Sequence, residues 1–187
     1  RLLQDYSIGL TYITPRPRGG GLTGLAKELL EEILAGLDAV ANVRQDLVYA
    51  NGCFFVGRYG KSAAVYLALL EGEPGDQVAR FNLGLCYVRL KQPQDAVREF
   101  TQVIQQVIHA EPLSTQAHYQ RGNVQDDLGE PELALLDYET AISLEPDFLR
   151  AHYNRGIVLA KVGRHRDAIA QFDQVLELRP DLSNAYL

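Results

Sequence analysis

The apolar positions of the chain follow helical spacing almost throughout. From Leu22 to Ala41, within a segment spanning 22–42, Leu25, Leu29, Ile33, Leu37 and Val40 form one stripe, widened by Leu22, Leu30 and Leu34. Lys27, Glu28, Glu31, Glu32 and Asp38 fall mostly off it. This pattern predicts an amphipathic helix that Thr23 can cap, shielding the first apolar face that follows it. Beyond it the pattern recurs at a fixed step. Ala117-His118-Tyr119-Gln120-Arg121-Gly122 returns as Ala151-His152-Tyr153-Asn154-Arg155-Gly156, and 156 − 122 = 34. The same step carries Gly129 to Gly163, Ala134 to Ala168 and Pro146-Asp147 to Pro180-Asp181, and 11 of 34 positions are identical between the two blocks. A period of this length predicts stacked helical units.

The register extends to weaker copies. Val43–Asp76 places Ala50 where Gly122 stands, Ser62 where Ala134 stands, Tyr66 where Tyr138 stands and Gly57 where Gly129 stands. Gln77–Ser114 keeps Gly84, Tyr87, Ala96 and Phe100, but Gly122 follows Gly84 by 38 residues, four more than the period. The surplus falls in Val103–Ala110 and predicts one extra turn on the second helix of that unit. Thr115–Phe148 and Leu149–Leu182 are the clear units, and Ser183–Leu187 matches the start of a further helix. Each unit reads as two helices. Gly129 and Gly163 fall where the first helix needs a left-handed residue to stop. Pro131 falls at the start of the second helix, and Pro146 and Pro180 launch the next unit. Small residues at Gly122/Ala134 and Gly156/Ala168 let the paired helices approach, with Tyr138 and Phe172 beside them.

Residues 1–21 do not share the pattern. Tyr6, Ile8, Leu10, Tyr12 and Ile13 show weak alternation, and Pro15 to Gly21 reads as a linker, so this segment is expected to be a flexible or partner-dependent tail. The chain begins at Arg1, holds no methionine and stops mid-pattern. The native protein is therefore expected to be longer at both ends.

Charge and chemistry narrow the function. A formal charge of −6 argues against nucleic acid or an anionic membrane as the main partner. No run of 18 apolar residues exists to span a membrane. Cys53 and Cys86 fit no metal spacing or disulfide framework and are expected to be buried thiols, favouring the cytoplasm or another reducing compartment. His118 and His152 stand one repeat apart, too far to share a metal, and are expected to pack. Glu31/Glu32 and Asp126/Asp127 read as solvated or groove charge, not an acid–base pair. No catalytic, cofactor or metal motif is present, so the chain is not expected to be an enzyme.

The unit resembles the tetratricopeptide repeat, from the glycines, alanines, aromatics and prolines just named, over Val43–Leu182. It departs from that pattern at His118 and His152, where an aromatic is usual, and at Arg121 and Arg155, where leucine is usual. The resemblance implies an all-α, right-handed solenoid of about four antiparallel helix pairs. It also implies that first helices line a concave groove for a protein or peptide partner. Carried over by position, the N-terminal half of that groove is given by Phe54, Phe55, Phe81, Asn82, Leu85 and Arg89. Its middle is given by Tyr119, Gln120, Asn123, Asp126 and Asp127. Its C-terminal part is given by Arg150, Tyr153, Asn154, Ile157 and Lys161. Asn123 and Asn154 would bond an extended backbone and Asp126/Asp127 a basic residue. Alternatively the helix at 22–41 or the tail covers Phe54, Phe55 and Phe81. A clamp for a chaperone's C-terminal carboxylate is disfavoured, because Leu47, Tyr119, Gln116 and Gln120 stand where its cations are needed. The expected function is that of an adaptor, scaffold or assembly factor. The alternatives are a regulatory region of a larger enzyme, a membrane-tethered assembly factor whose anchor precedes Arg1, and, less in keeping with the acidic charge, an RNA-binding repeat. Incomplete end repeats allow a homo-oligomer.

Overall fold

The structure is a computed structural model that describes residues 24–38, 47–106 and 112–180. Among these residues 85% are helical and none is in a strand. The helices are α1 (Gly24–Asp38), α2 (Leu47–Phe55), α3 (Tyr59–Gly72), α4 (Gln77–Arg89), α5 (Pro93–Gln106), α6 (Pro112–Asp127), α7 (Pro131–Leu144), α8 (Leu149–Lys161) and α9 (His165–Leu178). From α2 onward they pair as first and second helices of successive repeats. The chain divides into two compact units, Arg1–Glu99 and Phe100–Leu187, with the boundary inside α5.

In the first unit, α1 to α4 enclose Leu34, Ala50, Cys53, Tyr66, Leu83 and Cys86, all essentially without exposure. The close approach expected of small residues is present: Ser62 Oγ donates to the Ala50 carbonyl at 2.8 Å. Cys53 and Cys86 are free thiols in this core, and burial raises the Cys86 thiol to about 11. α1 packs on α2 through Leu30, Leu34 and Leu37, with Leu34 Cδ2 3.4 Å from where a Cβ on Gly52 would lie. This corrects the expected orientation. Leu30 and Leu34, which only widened the stripe, carry the contact together with Leu37 of the stripe itself, while its Leu29 and Ile33 face outward at 46% and 36% exposure. Asp38 fixes the end of α1 by accepting from Lys61 Nζ at 2.6 Å, the Tyr49 hydroxyl and Arg58 Nη1 at 3.0 Å. The Lys61 and Tyr49 bonds hold the Asp38 carboxyl below the usual carboxylate range.

In the second unit, α6 to α8 enclose Tyr119, Ala134, Tyr138, Ala141, Phe148, Ala151 and Val158. The turns inside repeats use left-handed glycines, with φ +86° at Gly57, +78° at Gly129 and +82° at Gly163. Lys91 holds the matching place in the second repeat, at φ +61°. The four-residue surplus lies partly at 107–111, outside the described residues. What is described is that α6 starts at Pro112, three residues earlier than α8 in repeat register (149 − 34 = 115). The tail at 1–21, Thr23 and the segment 183–187 also lie outside the described residues.

Candidate functional site

In the first unit the site grows from the turn between α2 and α3. α2 ends in Phe54 and Phe55, Gly57 reverses the chain, and Tyr59 opens α3. The Phe54 ring meets Tyr59 edge-on at 5.2 Å between centroids and Phe55 at 6.2 Å. Arg89, exposed at the end of α4, lays its guanidinium 4.9 Å from the Tyr59 centroid and donates to its hydroxyl at 2.5 Å. An aromatic trio topped by a cation results, half-buried and reachable. Tyr59 was not foreseen. The signal for it was an aromatic directly after a helix-reversing Gly57-Arg58, where a side chain cannot fall onto either helix's buried stripe.

Phe81, Asn82 and Leu85, expected to line the same surface, are instead buried, at 0%, 1% and 6% exposure. Asn82 lies in the core side of the repeat contact. Its Nδ2 donates to Asn51 Oδ1 at 3.4 Å, and Asn51 Oδ1 also accepts from the Tyr66 hydroxyl. Asn82 Oδ1 meets no donor among the described residues.

The second unit repeats this amide contact. Asn123 Oδ1 accepts from Tyr138 Oη at 2.8 Å and from Asn154 Nδ2 at 2.8 Å, while Asn154 Nδ2 also reaches Tyr119 Oη at 3.2 Å. Asn123 and Asn154, expected to face a peptide backbone, are thus engaged with each other. Tyr119 and Gln120 are a further correction, since each is buried at 8% exposure. Tyr119 is enclosed by Phe148, 5.0 Å away edge-on, and by Tyr138. Lys161 Nζ reaches Asp126 Oδ2 at 2.6 Å, so that acid is already paired. Asp127 is exposed, Arg150, Asn154 and Ile157 are half-buried, and Tyr153 stands 50% exposed beside Phe172.

The departures from the repeat pattern have a common explanation. In three repeats the fourth residue of the repeat, on the first helix, meets a polar residue 19 positions later on the second. Arg80 Nη1 bonds Glu99 at 3.1 Å, His118 Nδ1 lies 2.8 Å from Asp137 Oδ1, and His152 Nδ1 lies 3.0 Å from Gln171 Oε1. Arg121 adds two 2.8 Å bonds to Asp137 and a third, at 3.0 Å, to Thr101. Burial pushes the Asp137 carboxyl up, but the bonds from Arg121 and His118 outweigh it and hold the carboxyl below its ordinary value. Both histidines are buried, as packing residues with polar partners.

A family model of the tetratricopeptide repeat matches residues 54–111 and 119–183. No curated protein matches the chain. Among solved structures, MamA 41-end from Desulfovibrio magneticus RS-1 is similar at 20% identity and TM-score 0.70, covering 96% of this chain and 94% of that one. YrrB, described as a TPR protein with an unusual peptide-binding site, is similar at 20% identity and TM-score 0.62, covering 86% and 85%. BtubC from P. vanneervenii is similar at 16% identity and TM-score 0.67, covering 85% and 74%. These likenesses describe an all-α solenoid fold.

Proposed function

The chain belongs to the tetratricopeptide repeat family, and on that premise we propose that it is a protein-interaction module that holds a peptide or partner helix against its first helices. The observation that carries this reading is the Phe54–Phe55–Tyr59 cluster with Arg89 stacked on it. Aromatic side chains and arginine dominate binding energy at protein interfaces, because they offer large, rigid contact area with a polar handle. In the second unit, exposed Asp127 beside the Asp126–Lys161 pair favours a basic side chain on the partner. A role in adaptor, scaffold or assembly work follows from binding alone. The His118–Asp137 pair supports no catalytic alternative, since it is buried and saturated by Arg121. The free, buried thiols agree with a reducing compartment, and among the described residues no helix is long and apolar enough to cross a membrane.

The test is capture of a partner from the source lysate by wild type and by Phe55→Ala/Arg89→Ala, with helicity checked by circular dichroism. Loss of a captured protein by the folded variant identifies the aromatic cluster as its seat. Equal capture by both proteins rejects the cluster as the binding surface, and Asp127→Lys then tests the second unit alone.

A further inference from the structure

The aromatic cluster of the first unit holds a charge that no acid among the described residues balances. The other described arginines of that unit each meet a carboxylate. Arg58 bonds Asp38 at 3.0 Å, Arg80 bonds Glu99 at 3.1 Å and Arg98 bonds Asp95 at 2.8 Å. Arg89 meets the Tyr59 ring and, through Nη2, the Tyr59 hydroxyl. A guanidinium carries five N–H donors in one planar fork, so most of this fork stays on offer. The stack and the bond already hold it in place, so little freedom is lost when an anion arrives.

The surroundings favour that anion. Arg58 and Lys61 flank Tyr59, and Arg89 and Lys91 flank Leu90 after α4. Asp38 answers the first pair, and Asp95, at the start of α5, is met by Arg98. Four cations against Asp38 leave +3 here (4 − 1), on a chain of −6 overall. Beside the fork, half-buried Phe54 and Phe55 offer ring edges to an aliphatic or aromatic side chain. An anionic lipid surface also suits basic and aromatic residues, but the overall negative charge opposes it. The positions that would clamp a chain end hold uncharged Leu47, Tyr119, Gln116 and Gln120, so the carboxylate sought is that of a side chain.

We infer that the cluster reads a short acidic motif on a partner chain. An apolar side chain of the motif lies on Phe54 and Phe55, and a neighbouring Asp or Glu gives its carboxylate to the Arg89 fork. The inference rests on the proposed role of this cluster as a binding seat and adds the chemistry of what sits there. It is the reverse of the basic preference of Asp127 in the second unit.

The test is selection from a random peptide library displayed on phage, each peptide tethered by its C-terminal end so that no free carboxyl terminus is on offer. The targets are wild type, Arg89→Glu and Phe55→Ala, with helicity checked by circular dichroism. Wild type is expected to enrich an apolar residue with Asp or Glu close by. Arg89→Glu is expected to keep the apolar residue and to replace the acid by Lys or Arg. In the best peptide, synthesised with an amidated end, exchange of the acid for its amide is expected to weaken binding to wild type about tenfold and to change binding to Arg89→Gln little. Peptides that need Phe55 but carry no acid, or whose acid is indifferent to Arg89, overturn the inference and leave the cluster standing as a seat. An empty selection, or peptides indifferent to Phe55→Ala, removes the cluster itself and the inference with it. Pelleting of wild type with phosphatidylserine-containing vesicles, lost in Arg89→Glu, also overturns it, because the anion is then a lipid.

Discussion

Lys91 is the one non-glycine among the described residues with a left-handed backbone, and it closes α4 with the bonds that Gly129 makes for α6. Its N–H reaches the Val88 carbonyl at 3.2 Å, and that of Gln92 reaches Tyr87 at 2.9 Å. A Cβ in this conformation costs roughly 1–2 kcal/mol, of which glycine's greater freedom in the unfolded chain returns part. Lys91→Gly is therefore expected to stabilise the protein by about 0.5–1 kcal/mol in urea unfolding. Asp137 makes the opposite case. Its side chain is 3% exposed and accepts from both Arg121 and His118. Asp137→Asn strands the Arg121 charge, at a cost of about 3 kcal/mol. Because the folded carboxyl lies below its unfolded value, its contribution is complete above about pH 4 and fades as pH falls through the folded value. Wild-type stability should fall below pH 4 more steeply than that of the variant. The histidines could be read as packing residues, but their partners could not. A second helix offers several polar positions, and spacing alone does not say which one turns inward.

At the scale of the element, the glycines were the most legible feature, because only absence of a side chain explains small residues on both sides of a helix pair. A Cβ at Gly156 would lie 2.7 Å from Phe172 Cε1, and one at Gly122 would lie 3.0 Å from Tyr138 Cε1. Gly156→Ala should cost about 1–3 kcal/mol and Gly122→Ala less, by thermal unfolding. The direction faced by α1 was not legible. Its apolar residues cover more than half the helix circumference, and either side could have met the core. The choice is made by Leu34, which settles over Gly52, and by Asp38, which Lys61, Arg58 and Tyr49 grip together. Leu34→Ala is expected to cost about 2–5 kcal/mol and to raise amide hydrogen exchange throughout Gly24–Asp38.

For the whole molecule, the repeat frame was readable and the lining of the expected groove only in part. Position within a repeat says that a residue is on the first helix, not whether a neighbour covers it. Phe81, Leu85 and Tyr119 turned inward for that reason. The amide contacts, however, hold a longer rhythm than the repeat itself. Asn51 and Asn123, Tyr66 and Tyr138, Asn82 and Asn154 are each separated by 72 residues (123 − 51, 138 − 66, 154 − 82). In the intervening repeats the asparagine becomes Leu85 or Ile157, and the tyrosine becomes Phe100 or Phe172. A buried hydroxyl needs an acceptor, and a phenyl ring beside an aliphatic chain needs none, so the two positions change together. The chain thus counts in twos, with polar and apolar beats alternating. Lengthening it by Thr115–Leu182 keeps every asparagine in phase, whereas inserting Thr115–Phe148 alone sets Asn123 of one copy against Gln120 of the next. The in-phase protein should melt higher than the out-of-phase one, although both add intact repeats.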